Sequence, residues 1–151
     1  MLSIAVCLML IFLFFGFGAF LVNEERHYKD VRIYISGPMT GYENFNFAEF
    51  NKMENDILIN FDWVSVVNPV AISKKVEEVK KNPTYEDYLR EDFRGLIDCD
   101  AVILLDGWRN SGGCQKEVAV ARFLSIPCFE TYAELEKFLE DKNGCKGSSG
   151  K

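Results

Sequence analysis

Two acidic side chains fall at positions where the surrounding helices place apolar residues. Glu117 follows a Gly-rich turn. Its neighbours at helical spacing are Cys114, Val118 and Ala121. A carboxylate beside a buried stripe and above such a turn favours a role in a site. Asp92 also lies within an apolar stripe, although Asp is seldom buried unless it is paired. For Asp92 a site role and a structural carboxylate bonded to a loop amide or an arginine are equally open.

Two carboxyl groups that converge on one pocket suggest the cleavage of a glycosidic bond. One carboxylate attacks the anomeric carbon, while the other handles the proton of the leaving group. Other nucleophiles lack their partners, because the sole histidine, His27, lies beside the N-terminal apolar segment. This excludes a Ser-His-Asp triad and leaves Cys99 and Cys114 without a histidine to activate them. No metal-ligand spacing occurs either, so we expect neither a metal nor another cofactor.

The elements that must position these carboxyls alternate between strands and helices. The predicted strands are Val31–Ser36, 63–68, 101–105 and 126–129. The predicted helices are 45–61, 85–98, 112–125 and 133–141, with a short helix or a mobile loop at 72–82. This alternation predicts an α/β, Rossmann-like three-layer domain with a parallel sheet of four or five strands. The apolar run AVILL at 101–105 is expected at the centre of that sheet.

Two Gly-rich loops follow strands, at residues 36–42 (SGPMTGY) and 106–113 (DGWRNSGG). Ligands of open parallel sheets bind beyond the carboxyl ends of the strands, and glycine lets backbone approach them closely. Ser111 is a predicted N-cap of the Glu117 helix, whose N-terminus attracts anions. The first loop is neither a P-loop nor a GxGxxG fingerprint, and an ordinary tight turn is its alternative. The predicted substrate- or phosphate-binding residues are Ser36, Gly37, Thr40, Gly41, Ser111 and Gly113.

The charge balance argues against a nucleic-acid partner. The chain has 17 Lys and Arg residues against 23 Asp and Glu residues, a formal net charge of −6. Nucleic-acid backbones are held by Lys and Arg, whereas a few local donors suffice for one small anion.

The chain has five cysteines, an odd number, and none of them form a CxxC pair. This pattern indicates free thiols in a reducing compartment.

The N-terminal segment predicts a membrane anchor. Residues 2–22 carry no charge and reach the length of about 20 apolar residues that crosses a bilayer. A cleaved signal peptide is disfavoured by the missing basic region and cleavage site, and a mis-assigned start codon is a further alternative. Arg26, Lys29 and Arg32 follow the span, which favours a single pass with a cytoplasmic domain. The predicted organisation is an anchor at 1–23, a linker at 24–30, the domain at 31–141 and a disordered tail at 142–151.

Three segments, in this order, resemble the nucleoside 2-deoxyribosyltransferase-like superfamily. They are IYISGPMTGYENFNFAEFN, YEDYLREDFRGLIDCDAVILLDGW, and SGGCQKE followed by VAVA. The resemblance covers residues 31–129 and is to an uncharacterised phage and bacterial branch, related to the 2′-deoxynucleoside 5′-phosphate N-hydrolases. The ordered set is more specific than any single segment.

The resemblance implies a role for each main site residue. It places the glutamate nucleophile at Glu117, the aspartate that assists the leaving base at Asp92, and a tyrosine near the nucleophile at Tyr34. The phosphate-binding serine of the hydrolase branch falls on Ser111, and this neutral residue favours a nucleotide over a nucleoside. A second phosphate-binding serine and an arginine are missing from the first loop, which leaves their part to Thr40 or Arg109.

The implied activity is cleavage of the N-glycosidic bond of a (deoxy)nucleotide or (deoxy)nucleoside. A glycosyl-glutamate intermediate would pass its sugar to water, as in a hydrolase, or to another base, as in a transferase. Two other functions stay open, a non-catalytic nucleotide-binding or sensor module and a membrane-bound NAD-cleaving effector. The expected partners are a small-molecule nucleotide or nucleoside and the membrane, and homo-oligomerisation is left open.

Overall fold

The protein is described by a computed structural model that covers residues 31–147, with side chains up to Asn143. The predicted anchor at 1–23 and linker at 24–30 lie outside the described residues. Within the described part of the chain, no helix combines the length and the apolar composition that a bilayer crossing requires.

Strands and helices alternate along the chain, as the sequence predicts. The strands are β1 (Val31–Ser36), β2 (Val64–Val67), β3 (Ala101–Leu104) and β4 (Cys128–Phe129). The helices are α1 (Phe47–Asn60), α2 (Pro69–Val79), α3 (Tyr85–Leu96), α4 (Gly112–Phe123) and α5 (Tyr132–Gly147). Short 3₁₀ segments precede α1 and α4 at Glu43–Asn46 and Trp108–Asn110.

The four strands form one parallel sheet in the order β2-β1-β3-β4. Tyr34 of β1 is paired with Val102 of β3, and Ser36 with Leu104. All four residues of β3 are buried, because helices cover both faces of the sheet. The α/β class, the parallel sheet of four strands and the inner position of AVILL are therefore confirmed.

Two apolar clusters lie on opposite faces of the sheet. One packs β1 against α1 and α5, and its members include Ile33, Ile35, Phe50, Ile57, Leu135 and Leu139. The other packs β1 and β3 against α3 and α4, and its members include Tyr34, Val102, Leu104, Leu96, Val118 and Ala121. Alternate residues of β1 thus face opposite helical layers, since strand side chains alternate between faces. This alternation turns Tyr34 towards α3 and α4.

Two helix boundaries differ from the sequence prediction near the site. The predicted start of α1 at residue 45 is wrong, because Asn44, Phe45 and Asn46 have positive φ values of 47°, 54° and 61°. Asparagine tolerates this left-handed region better than most residues. Residues 69–79 form a full helix, since Pro69 suits a first helical position and the Asn68 side chain accepts the Val70 N–H at 3.0 Å.

Helix α5 continues past its predicted end at Asp141 and reaches Gly147. The stretch after Asp141 contains Lys142 and Asn143, and one glycine at 144 costs a helix only about 1 kcal/mol. The predicted tail at 142–151 therefore begins too early. Its residues 148–151 lie outside the described part of the chain.

Candidate functional site

A cavity of about 370 Å³ opens beside the carboxyl ends of β1 and β3. After β1 the chain runs to β2 at one edge of the sheet, and after β3 it runs to β4 at the opposite edge. A crevice forms where such connections diverge, and ligands of open α/β sheets bind there. The two predicted Gly-rich loops and helices α2, α3 and α4 all contribute to its wall.

Glu117 lies on α4 at this cavity and is only 6% exposed. The Tyr34 hydroxyl donates to Glu117 Oε1 at 2.8 Å, and the Ser36 hydroxyl donates to Oε2 at 2.5 Å. Burial raises the pKa of the Glu117 carboxyl, whereas the Ser36 and Tyr34 hydroxyls oppose that rise. Each carboxylate oxygen thus has its own donor from β1. The two hydroxyls fix the carboxylate and offset part of the rise in its pKa that burial causes.

Tyr34 is fully buried in the sheet, and its hydroxyl contacts the Glu117 carboxylate. Burial first, and then the charges of Glu117 and Asp92, raise the pKa of the Tyr34 phenol well above its ordinary value. The phenol therefore keeps its proton at any physiological pH and serves as a donor. This contact brings Tyr34 and Glu117 together as predicted.

Asp92 lies on α3 and lines the same cavity as Glu117. Its Oδ1 atom is buried and has no hydrogen-bond partner. Burial first, and then the charges of Glu117 and Glu91, raise the pKa of the Asp92 carboxyl to about 8. Arg94, which lies two residues after Asp92, pairs with Glu91 instead. Asp92 is therefore a carboxylic acid at neutral pH, with a free oxygen in the cavity.

The N-terminus of α4 forms another part of the wall. The Ser111 side chain accepts the Cys114 N–H at 3.4 Å, which confirms Ser111 as the N-cap. Ser111, Gly113 and Cys114 line the cavity. Burial raises the pKa of the Cys114 thiol, so this cysteine is held as a thiol and is a poor nucleophile.

The first loop supplies Gly37 and Thr40 to the cavity. A Cβ atom on Gly37 would lie 2.7 Å from Leu105 Cδ1, so the close approach of the two loops requires glycine. Of the six predicted binding positions, four therefore line the cavity: Gly37, Thr40, Ser111 and Gly113.

Three other predicted contacts are corrected by the structure. Ser36 is fully buried and its hydroxyl is bonded to Glu117, so it holds the carboxylate rather than a substrate. Gly41, with a φ of 85°, shapes an exposed turn outside the cavity wall. Arg109 bonds to the carboxylate of Glu130 at 2.6 and 2.7 Å and lies over Trp108, so it is not a cavity cation.

Much of the wall was not predicted from the sequence as a binding surface. Its aromatic and apolar members are Met39, Phe45, Phe47, Pro69, Tyr85, Tyr88 and Leu89. Tyr85, Tyr88 and Leu89 belong to the apolar stripe of α3. Only the C-terminal part of that stripe, at Leu96, is fully buried, whereas Tyr85 is 49% exposed and faces the cavity.

Helix α2 adds the polar residues Ser73 and Glu77, four residues apart on one face. Once the segment is known to be helical, this spacing indicates that the two polar side chains lie on the same face of α2. The wall contains three acidic side chains, Glu77, Asp92 and Glu117, and among the described residues that line it there is no Lys, Arg or His. A phosphate here would rely on hydroxyls and on the N-terminus of α4.

The comparisons with known proteins concern the same part of the chain. No curated protein matches it. One family model, described as a domain of unknown function (DUF4406), matches residues 31–129, from the first residue of β1 to the last residue of β4. The chain therefore belongs to the DUF4406 family.

Proposed function

We propose that this protein cleaves the N-glycosidic bond of a (deoxy)nucleoside or (deoxy)nucleotide. The observation that carries the proposal is the pairing of two unlike carboxyl groups in one cavity. Glu117 is held by two hydroxyl donors, while Asp92 has an unpartnered buried oxygen and a pKa of about 8. Carboxyl groups whose environments differ in this way divide into a nucleophile and an acid.

In the first step Glu117 attacks the anomeric carbon of the sugar. A bond forms between a Glu117 oxygen and C1′, the C1′–N bond breaks, and its electron pair leaves with the base. Asp92 gives its proton to the departing base. Water or a second base then attacks C1′ and releases Glu117, and the ionised Asp92 takes up the proton of that nucleophile.

The wall of the cavity supports a nucleoside-like substrate. Aromatic and apolar side chains from the first loop and α3 offer faces on which a base can stack. The hydroxyls of Thr40 and Ser111, with the backbone at Gly37 and Gly113, are placed to contact the sugar and a 5′ substituent.

The sequence resemblance to the nucleoside 2-deoxyribosyltransferase-like superfamily supports the same activity. Glu117, Asp92 and Tyr34, the three residues that it marks as catalytic, are the residues that meet at this site. The strand order and the helices on both faces of the sheet support a Rossmann-like classification of the domain.

The apolar N-terminal residues support a second part of the proposal. We infer that residues 2–22 span the membrane once, with the domain on the cytoplasmic side, because the positively charged residues Arg26, Lys29 and Arg32 follow the span. Protease added to intact cells should leave the domain undigested and membrane-associated. Digestion from outside would contradict the orientation, and a soluble mature form would contradict the anchor.

Base release tests the activity itself. Full-length protein is incubated with pooled (deoxy)nucleosides and (deoxy)nucleotides, and freed bases are identified by mass spectrometry. Wild type and Glu140→Gln, an exposed control on α5, should release base, whereas Glu117→Gln should not. Binding without release by wild type would favour a sensor module. Release of nicotinamide from NAD alone would favour an NAD-cleaving effector.

A further inference from the structure

The cavity wall formed by α2 carries an acidic residue that the proposed reaction does not use. Pro69, Ser73 and Glu77 recur every four residues on the face of α2 that lines the cavity. The Tyr88 hydroxyl of α3 donates to Glu77 Oε1 at 3.3 Å. Glu77 is thus linked across the cavity wall to α3, and its second oxygen makes no hydrogen bond among the described contacts.

The two ends of the cavity wall on α3 face different partners. Tyr85 lies near the N-terminus of α4, since its hydroxyl is 3.5 Å from the position that a Cβ on Gly113 would take. Tyr88 instead reaches Glu77 on α2. The cavity wall therefore presents the hydroxyl-bearing residues Ser111 and Tyr85 on the α4 side and the Glu77 carboxylate on the α2 side.

The position of the base follows from the proposed chemistry. Glu117 contacts C1′ of the sugar, and Asp92 contacts the base that leaves. Tyr88 precedes Asp92 by four residues, so the two side chains lie on the same face of α3. A base that receives the Asp92 proton would extend along this face towards Tyr88 and Glu77.

We propose that Glu77, oriented by Tyr88, recognises an exocyclic amino group on the base and thereby selects amino-bearing bases over their oxo counterparts. This inference rests on the proposed function and names its substrate class. A carboxylate accepts hydrogen bonds and cannot donate one, so it fits an amino group and repels a carbonyl oxygen. The described wall offers no cation that would offset such repulsion.

Matched substrate pairs test the inference, because their members differ by an amino or an oxo group at one ring position, together with the proton that the adjacent ring nitrogen carries in the oxo member. The pairs are deoxyadenosine with deoxyinosine and deoxycytidine with deoxyuridine, each with and without a 5′-phosphate. The measured quantity is the ratio of kcat/KM for the amino member to that for the oxo member. Wild type should prefer the amino member in at least one pair, and Glu77→Gln should lower that ratio about tenfold, the worth of one hydrogen bond to a charged group.

Two further variants separate recognition from general damage. Glu78→Gln changes the neighbouring carboxylate, which is exposed like Glu77 but does not line the cavity, and should leave the ratio unchanged. Tyr88→Phe removes the hydroxyl that orients Glu77 and should lower the same ratio by a smaller factor. A loss of activity that is equal for both members of a pair would indicate a structural effect. An unchanged ratio in Glu77→Gln would overturn the inference while leaving the proposed function intact.

Binding provides a readout that does not depend on turnover. Dissociation constants for the same pairs are measured by calorimetry with Glu117→Gln and with the double variant Glu117→Gln/Glu77→Gln. The double variant should lose the preference for the amino member. If wild type releases no base but this preference is lost as expected, the proposed reaction fails and the recognition stands. If no preference exists, or no nucleoside binds, the recognition is wrong.

Discussion

The raised pKa of Asp92 has a consequence for stability that can be measured without any substrate. Its pKa rises from an ordinary value of 3.8 to about 8 in the folded protein, chiefly through burial. Because the folded value lies above the unfolded value, the protonated carboxyl contributes its stability fully below pH 3.8. That contribution is lost progressively as the pH rises towards 8, since the unfolded chain gives up a proton that the folded chain keeps. Asp92 therefore makes the protein less stable at neutral pH.

The replacement Asp92→Asn should reveal this cost. Asparagine does not titrate, so the difference in unfolding free energy between Asp92→Asn and wild type should grow with pH by about 1.4 kcal/mol per unit. Between pH 5 and pH 7 the gain amounts to about 2.7 kcal/mol, while any fixed packing effect of the amide cancels.

Urea unfolding at several pH values measures this difference. Asp62→Asn, which changes an exposed aspartate, is the matched control and should show no such growth with pH. A constant difference between wild type and Asp92→Asn from pH 5 to pH 7 would refute the reasoning. It would mean that Asp92 is already ionised in the folded protein and is not available as an acid.

Three further predictions follow from the same geometry. Base release by wild type should fall as the pH rises above about 8, because Asp92 loses its proton there. The variant Asp92→Asn should not show this fall, and a fall that persists in the variant would mean that another group causes it. Tyr34→Phe removes the 2.8 Å hydrogen bond to Glu117 and should lower kcat about 10- to 100-fold. Circular dichroism should show that the fold is retained, and an unchanged kcat would mean that this hydrogen bond has no role in the reaction. Gly37→Ala places a Cβ atom 2.7 Å from Leu105 Cδ1 and should lower the free energy of unfolding, measured with urea, by about 1–3 kcal/mol. An unchanged free energy of unfolding would show that the two loops can move apart without cost.

The sequence predicts the frame of this site because its signals are local. A short continuous apolar run in a chain of alternating strands and helices is typical of a strand covered on both faces, and AVILL does supply an inner strand of the sheet. Glu117 breaks an apolar stripe just after a Gly-rich turn, and that anomaly marks a side chain that is buried at the cavity.

The remaining features depend on distances between segments, which periodicity does not report. The sequence predicts Ser36 as a substrate- or phosphate-binding residue, but its register beside Leu104 turns the hydroxyl to Glu117. Arg109 looks like a free cation, but the fold brings Glu130 within 2.6 Å. The apolar stripe of α3 gives no sign in the sequence of where the core ends, yet Tyr85, Tyr88 and Leu89 in its first turns line the cavity.

The most direct test of the central claim is the detection of a sugar bound covalently to Glu117. A 2′-fluoro nucleoside or nucleotide slows the hydrolysis of a glycosyl ester, because the electron-withdrawing fluorine destabilises the oxocarbenium-like transition state. Intact-protein mass spectrometry of the reacted wild type should show the mass of one fluorosugar unit added, and peptide analysis should place it at Glu117. Glu117→Gln should carry no adduct. Base release without any adduct, or an adduct that persists in Glu117→Gln, would contradict Glu117 as the nucleophile.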